Sequence, residues 1–204
     1  MFDVLIIGGG VSGMSCAMVL GSAHKKAFVQ DKKVGIIAHQ KASSLQDAIF
    51  YNAYGIPAGK LGVALLEESV SQLQNTYPHI EQIPEEKVLK VLPTHEGFEV
   101  VTNKATYVSK IVVIGIGASN LFDIEGLNQY VMPHQKSLAE KNRIQLKNDD
   151  HKVAENLYVC GTLAGHRSQL AIASGSGASV ATDILVLWNN GVETHSHDSL
   201  RKKA

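Results

Sequence analysis

The chain has 204 residues, with 19 basic against 19 acidic side chains and a formal net charge of zero. That balance gives no overall field to gather nucleic acid or an anionic membrane surface. The length suits one domain. Two cysteines, Cys16 and Cys160, are too few for a disulfide framework, and they form no C-x-x-C pair.

Taken in order, the first element is Val4, Leu5, Ile6 and Ile7, an unbroken apolar run of the kind buried on both faces in a parallel sheet. Gly8, Gly10 and Gly13 follow as G-x-G-x-x-G, and residues 12–21 read as a helix of small and apolar side chains. In that pattern Gly8 allows a tight turn, Gly10 leaves the backbone open to a pyrophosphate, and Gly13 lets helix and strand pack closely. The helix N-terminus then faces the phosphates with unpaired N–H groups. A second strand is predicted at residues 27–30, ending on Asp31, where the dinucleotide fingerprint wants an acid for the adenosine ribose hydroxyls. Lys32 and Lys33 read as solvated and open a loop that runs through Ser44.

Residues 46–54 have apolar side chains but no clean period, and residues 55–59 read as a loop. Leu61, Leu65, Leu66, Val70, Leu73 and Tyr77 recur at helical spacing, with Glu67, Glu68, Gln72 and Gln74 outward. Pro78 ends that helix. From Lys87 the period falls to two. Residues 88–92, 97–102 and 105–108 are predicted strands, with turns at His95-Glu96 and Asn103-Lys104, which makes a three-stranded β-meander. Residues 110–114 form another apolar strand, closing on Gly115 to Ser119.

The pattern weakens over residues 121–150, where a helix at 135–142 and a strand at 144–146 are the expected elements. Residues 157–160 read as a buried strand that ends at Gly161 and Thr162. Residues 169–188 read as a long helix, with Gly175 and Gly177 where something comes close, and Asn189, Asn190 and Gly191 stop it. The polar tail, residues 192–204, reads as frayed, and His195 and His197 as solvated within it. Both cysteines fall in apolar runs and read as small core residues. The N-terminus has no basic region and carries Asp3 and the glycine cluster inside its apolar stretch, unlike a signal peptide. No apolar run reads as long enough to span a bilayer. The expected compartment is the cytoplasm, with neither membrane nor nucleic-acid partner.

In this order the pieces resemble the FAD-binding domain of the thioredoxin reductase family, within the pyridine-nucleotide disulfide oxidoreductases. Ile6 to Gly13 matches the first nucleotide fingerprint. Asn52 to Pro57, with Gly62 and Leu65 to Glu67, is similar to the family's Asn-x-Pro-Gly-x-Pro segment and its helix. Glu86 to Val91 resembles the first meander strand, and Val113 to Ser119, with Gly117, the "ATGA" segment. Leu157 to Thr162, Gln169 to Ala171 and Gly175 to Ala178 resemble the late strand, the "GD" site and the closing helix.

The resemblance implies an α/β Rossmann-like domain, with a central parallel sheet, flanking helices and the meander. Gly8, Gly9, Gly10, Val11, Ser12 and Gly13 would meet the FAD pyrophosphate, and FAD would lie extended across the strand carboxyl ends. Asp31 would bind the adenosine ribose, and Val88 would lie by the adenine through its backbone. Asn52 would sit at the isoalloxazine ring, with Gly161 and Thr162 near the ribityl and phosphate portion and Gly117 also among the cofactor-binding residues. Gln169 and Leu170 would bring helix N–H groups to the flavin pyrimidine edge, where they stabilise negative charge. His166 and Arg167 precede that helix and read as a loop pair contacting solvent or phosphate.

The chain also departs from the family. A second, NADPH-binding domain with a redox C-x-x-C normally stands where residues 120–156 lie. Residues 1–191 are therefore expected to form a single domain without a self-sufficient thioredoxin reductase centre. Thr162 replaces the Asp of the "GD" site, the Gly-Gly-Gln after the second strand is absent, and Tyr54 stands where proline is usual. Two functional readings remain. One is an FAD oxidoreductase drawing on an external donor: NAD(P)H, a thiol or a redox protein. The other is a non-catalytic FAD or adenine-dinucleotide binding or sensing protein. A plain NAD-dependent dehydrogenase is weaker, since there is no Tyr-x-x-x-Lys. The flavin face that the missing domain leaves open is expected to be either exposed or closed by a second subunit, which makes a homodimer one of the two expectations. No residue is singled out as catalytic, and no metal is expected.

Overall fold

The computed structural model describes residues 1–39 and 45–197. In chain order its elements are β1 (Phe2–Ile7), α1 (Val11–Ser22), β2 (Val34–Ala38), β3 (Ile49–Phe50), β4 (Lys60–Leu61), α2 (Gly62–Thr76), β5 (Glu81–Pro84), β6 (Val88–Thr94), β7 (Gly97–Thr102), β8 (Thr106–Ile114), β9 (Val131–Pro133), β10 (Ile144–Leu146), β11 (Lys152–Ala154), β12 (Leu157–Val159) and α3 (Leu170–Trp188).

The main sheet runs β11-β12-β8-β1-β2-β5. From β12 to β5 every pairing is parallel, with Ile7 opposite both Ile37 and Ile114. Strand β11 closes one edge antiparallel to β12. A residue period of two in β1 feeds two separate cores. Val4 and Ile6 face α1 and α3, joining Leu20, Val113, Val180 and Ile184. Leu5 and Ile7 face the other way, joining Val91, Phe98, Ile114 and Leu127. Burying each such side chain contributes about 1.5–3 kcal/mol.

The β-meander forms as expected, with β6 antiparallel to β7 and β7 to β8. Its third strand does not stop before residue 110. One unbroken strand, β8, pairs with β7 up to Ser109 and with β1 from Ser109 onward. The base of the meander is tied by the buried Glu86 carboxylate, which accepts from Thr102 Oγ1 at 2.6 Å and from the Tyr107 hydroxyl at 3.0 Å.

Three further expectations are corrected. Residues 27–30 form turns rather than a strand, and the second strand lies later, at Val34–Ala38. The apolar stretch at 27–30 is drawn toward the core through Val29 without entering a ladder. Loop residues 40–44 and tail residues 198–204 lie outside the described residues. Residues 135–142 hold only a short 3₁₀ turn at Ala139–Lys141, which Asn142 closes in a left-handed conformation. Strand β5, short and ending in proline, lies where the sequence pattern signals no strand. By length and mean hydropathy (1.6), α3 is the one described helix long and apolar enough to cross a membrane. It packs along α1 with Gly177, Val180, Ala181, Ile184 and Leu185 buried.

Candidate functional site

The site is assembled where β1, β8 and β12 end, because a parallel sheet puts all its strand C-termini on one edge. At Gly8 the backbone turns with φ +117°, a region that favours glycine. A Cβ there would lie 2.5 Å from the Gly115 carbonyl oxygen. The Gly8 N–H donates to the Ile37 carbonyl at 2.8 Å, and the Gly115 N–H to the Ile7 carbonyl at 2.8 Å. At Gly13 a Cβ would stand 1.9 Å from the Gly8 oxygen, so α1 can start this close to β1 only with glycine there. Gly10, by contrast, opens onto free space, as does Gly117.

Helix α1 begins on Gly10 with no side-chain cap and no acidic residue in its first turn. Its first N–H groups, around Val11 and Ser12, therefore keep their pull on a negative charge. Ser12 is buried where three elements meet. A Cβ on Gly161 (φ +72°) would come within 2.6 Å of Ser12 Oγ, and one on Gly177 within 1.9 Å of the Ser12 carbonyl oxygen. The glycine turn, the end of β12 and helix α3 thus interlock at one residue.

Gln169 is the extended N-cap residue of α3, again without a side-chain cap, and Leu170 is its first helical residue. Leu170 lines a cavity of about 450 Å³ together with Gly10, Val11, Tyr54, Ile56 and Leu66. The structure therefore brings the starts of α1 and α3 to one concavity. The loop between β3 and β4, which carries Asn52, covers it through Tyr54 and Ile56, while Asn52 itself is exposed. Val88 is buried beside Ile37 and Ile83 at the base of the meander.

Asp31 does not reach this edge. Strand β2 starts at Val34, opposite Val4, and ends at Ala38, one residue past Ile37, the partner of Ile7. Asp31 precedes it and so lies at the N-terminal end of the sheet. The glycine turn is a whole strand away, roughly 16 Å at 3.3 Å per residue. The residue that follows β2 at the correct edge is His39.

Sequence reasoning missed a polar cluster behind Gly161 and Thr162. The buried Ser176 Oγ accepts the Gly161 N–H at 2.8 Å and lies 3.0 Å from Nε2 of the buried His151. That nitrogen is also 3.0 Å from His166 Nε2. The Asp150 carboxylate, 3.6 Å from His151 Nδ1, favours the proton on that side. His151 Nε2 then has one lone pair, which either the Ser176 hydroxyl or the His166 Nε2–H can take. On the other side, His134 Nδ1 accepts the Lys136 N–H at 3.1 Å, so its Nε2–H donates to the Thr162 carbonyl at 3.0 Å. Histidine side chains thus steady the strand end that the sequence marked. His166 is a half-buried member of this cluster rather than a free loop residue, and Arg167 is exposed.

Burial lowers the pKa of both His151 and His166; the neighbouring His151, Lys136 and His134 lower that of His166 further, while Asp150 acts the other way on both rings. The cluster is accordingly neutral near pH 7. Burial also pushes the Cys160 thiol up to about 12 and that of Cys16 well above its ordinary value, so neither offers a thiolate.

The parallel sheet, helix-covered on one face and meander-covered on the other, and its uncapped glycine turn define a dinucleotide-binding fold of the Rossmann class. More particularly, the chain belongs to the pyridine nucleotide-disulphide oxidoreductase family, whose model matches residues 2–165. A ferredoxin–NADP reductase from Streptococcus pyogenes serotype M28 (strain MGAS6180) is 26% identical over 205 residues, covering 98% of this chain. The chain spans only 56% of that relative's length. Among solved structures, a thioredoxin reductase from Gloeobacter violaceus matches with a TM-score of 0.73 at 13% identity, over 98% of this chain and 99% of that one. A ferredoxin-flavin thioredoxin reductase from Clostridium acetobutylicum matches at 0.68 and 15%, over 93% and 98%. These likenesses establish the fold, that of a thioredoxin reductase-like FAD-binding domain.

Proposed function

We propose that the chain binds FAD at the glycine turn and serves as a flavoprotein oxidoreductase supplied with electrons by an external donor, NAD(P)H or a reduced redox partner. The observation that carries the reading is the uncapped start of α1 on Gly10. It is held against β1 by glycines that no other residue could replace without displacement. Such a helix start is an anion site suited to a pyrophosphate.

The residues present fit the group. Gly9, Gly10, Val11 and Ser12 would hold the diphosphate through backbone amides. Gly117, Gly161 and Thr162 would border its middle, and Gln169 and Leu170 its flavin end. When bound, the flavin supplies the two-electron chemistry. The chain's own work is positional and electrostatic. The start of α3 brings partial positive charge to the cavity, which favours an anionic group there. Ser176 fixes the Gly161 amide, and His134 fixes the Thr162 carbonyl. Tyr54 and Ile56 line the cavity on the side of the β3–β4 loop. Thr162 offers one hydroxyl where a carboxylate would accept twice, so affinity for FAD is expected to be modest.

An absorbance spectrum of the purified protein tests this, followed by anaerobic addition of NADH or NADPH. Flavin bands that bleach on addition are the expected result. Colourless protein that fails to take up added FAD overturns the reading.

A further inference from the structure

We propose that the cavity between α1, α2 and α3 binds an uncharged quinone-type ring, the electron acceptor of the oxidoreductase. The inference rests on the flavoprotein reading above and names its acceptor class.

The cavity, of about 450 Å³, begins at Gly10 and Leu170, the end that the cofactor reading fills. It continues along α1 past Met14 and Met18 to Val19, roughly 13 Å from Gly10 at 1.5 Å per residue. Helix α2 supplies the facing wall with Leu65, Ser69 and Gln72. That stretch lies beyond both helix starts and is left to a second molecule. Its size is that of an ordinary small-molecule site.

The walls select the molecule. Among the described residues no charged side chain lines the cavity. A phosphate or carboxylate inside it would have no ion pair to offset its desolvation. NAD(P)H, with its diphosphate, is therefore a donor that docks elsewhere, and a redox protein is too large to enter. The hydroxyls of the lining are already engaged. Ser15 Oγ donates to the Ser174 carbonyl and Ser69 Oγ to the Leu66 carbonyl, each at 2.8 Å. Met14 and Met18 offer flexible, polarisable thioethers that adapt to a flat ring. Gln72 brings the one amide of the lining, and its NH₂ can donate to a quinone carbonyl. The reaction balances with groups already named. NAD(P)H gives a hydride, solvent gives a proton, and the quinone leaves as the hydroquinone.

The test reads binding by NMR of labelled methionine methyl groups, with duroquinone as the uncharged ring and a sulfonated anthraquinone as the charged one. The chain has four methionines. Met14 and Met18 line the cavity, whereas Met1 and Met132 do not. With FAD bound, duroquinone should shift the Met14 and Met18 signals saturably and leave the other two in place. The sulfonated ring should bind at least about tenfold more weakly. Gln72→Glu, at an exposed position of α2, should weaken duroquinone at least about fivefold and leave FAD uptake unchanged. If FAD is taken up but Met14 and Met18 stay still, or if FAD and duroquinone displace one another, the acceptor site is wrong and the FAD reading stands. Equal binding of the sulfonated ring, or shifts at all four methionines, would also overturn it. If duroquinone binds but FAD does not, the acceptor role falls together with the flavoprotein reading.

Discussion

Ser176→Ala removes one oxygen and leaves two groups to account for. The Gly161 N–H is buried and has Ser176 Oγ as its acceptor at 2.8 Å. Leaving such a donor unpaired costs about 1–3 kcal/mol. His151 Nε2 loses a partner as well but keeps His166 at 3.0 Å, so its share is smaller. Together the loss should be about 2–3 kcal/mol. For a chain of this size each kcal/mol lowers Tm by about 2–4 °C, so the melting point should fall by about 4–12 °C. Urea unfolding followed by circular dichroism would read the same loss as a lower midpoint at unchanged slope. Ser176→Cys, with a weaker acceptor, should fall between the two. A Ser176→Ala protein within about 0.5 kcal/mol of the parent would refute the claim that this hydroxyl holds the strand end.

Two glycines of α3, only two positions apart, should respond with opposite sign. Gly177→Ala drives a methyl to 1.9 Å from the Ser12 oxygen and should cost at least about 1–3 kcal/mol, whereas Gly175→Ala meets nothing and should gain about 0.5–1 kcal/mol from helix propensity. Equal effects in thermal melts would show that the α1–α3 crossing is looser than described. The lowered pKa of His151, His166 and His79, each caused first by burial, sets a pH response. Below the ordinary histidine value of 6.5 the unfolded chain binds more protons than the folded one, so this stability is complete above 6.5 and is lost as pH falls toward the depressed values. Asp183, raised by burial, opposes the trend nearer its own ordinary value of 3.8. Melting points at pH 7.5, 6.5 and 5.5 should decline in order, and a flat series would contradict the neutral histidine pair.

What the sequence disclosed depended on how purely each element expressed its period. Strand β1 could be placed because its apolar run is unbroken and buried on both faces, and helix α2 and the meander because their apolar side chains recur at a clear period. The second strand could not. Val34 to Ala38 contains Gly35, which argues against a strand, and it sits behind two lysines. Residues 27–30 offered a cleaner apolar run with an acid after it. Gly35 is tolerated because the Phe2 ring covers it so closely that a Cβ would lie 2.6 Å away. That compensation comes from a distant residue and leaves no local mark.

The same limit applies at the site. Gly8, Gly10 and Gly13 could be read because their spacing encodes a turn. His134, His151 and Ser176 are separated by long stretches of chain and become one cluster only when β12 and α3 come together. The apparent break before Lys110 is a buried serine in mid-strand, where Ser109 turns its hydroxyl back onto the Ile111 carbonyl at 2.6 Å.

That continuity has a mechanical result. Strand β8 hands its hydrogen bonds from β7 to β1 at a single residue, with no loop between. The meander is thereby spliced to the sheet like a blade forged with its handle, and it cannot swing without tearing the ladder that positions the glycine turn. Any opening that admits or releases a bound molecule has to come from the opposite wall, the β3–β4 loop, whose anchoring ladder is two residue pairs long.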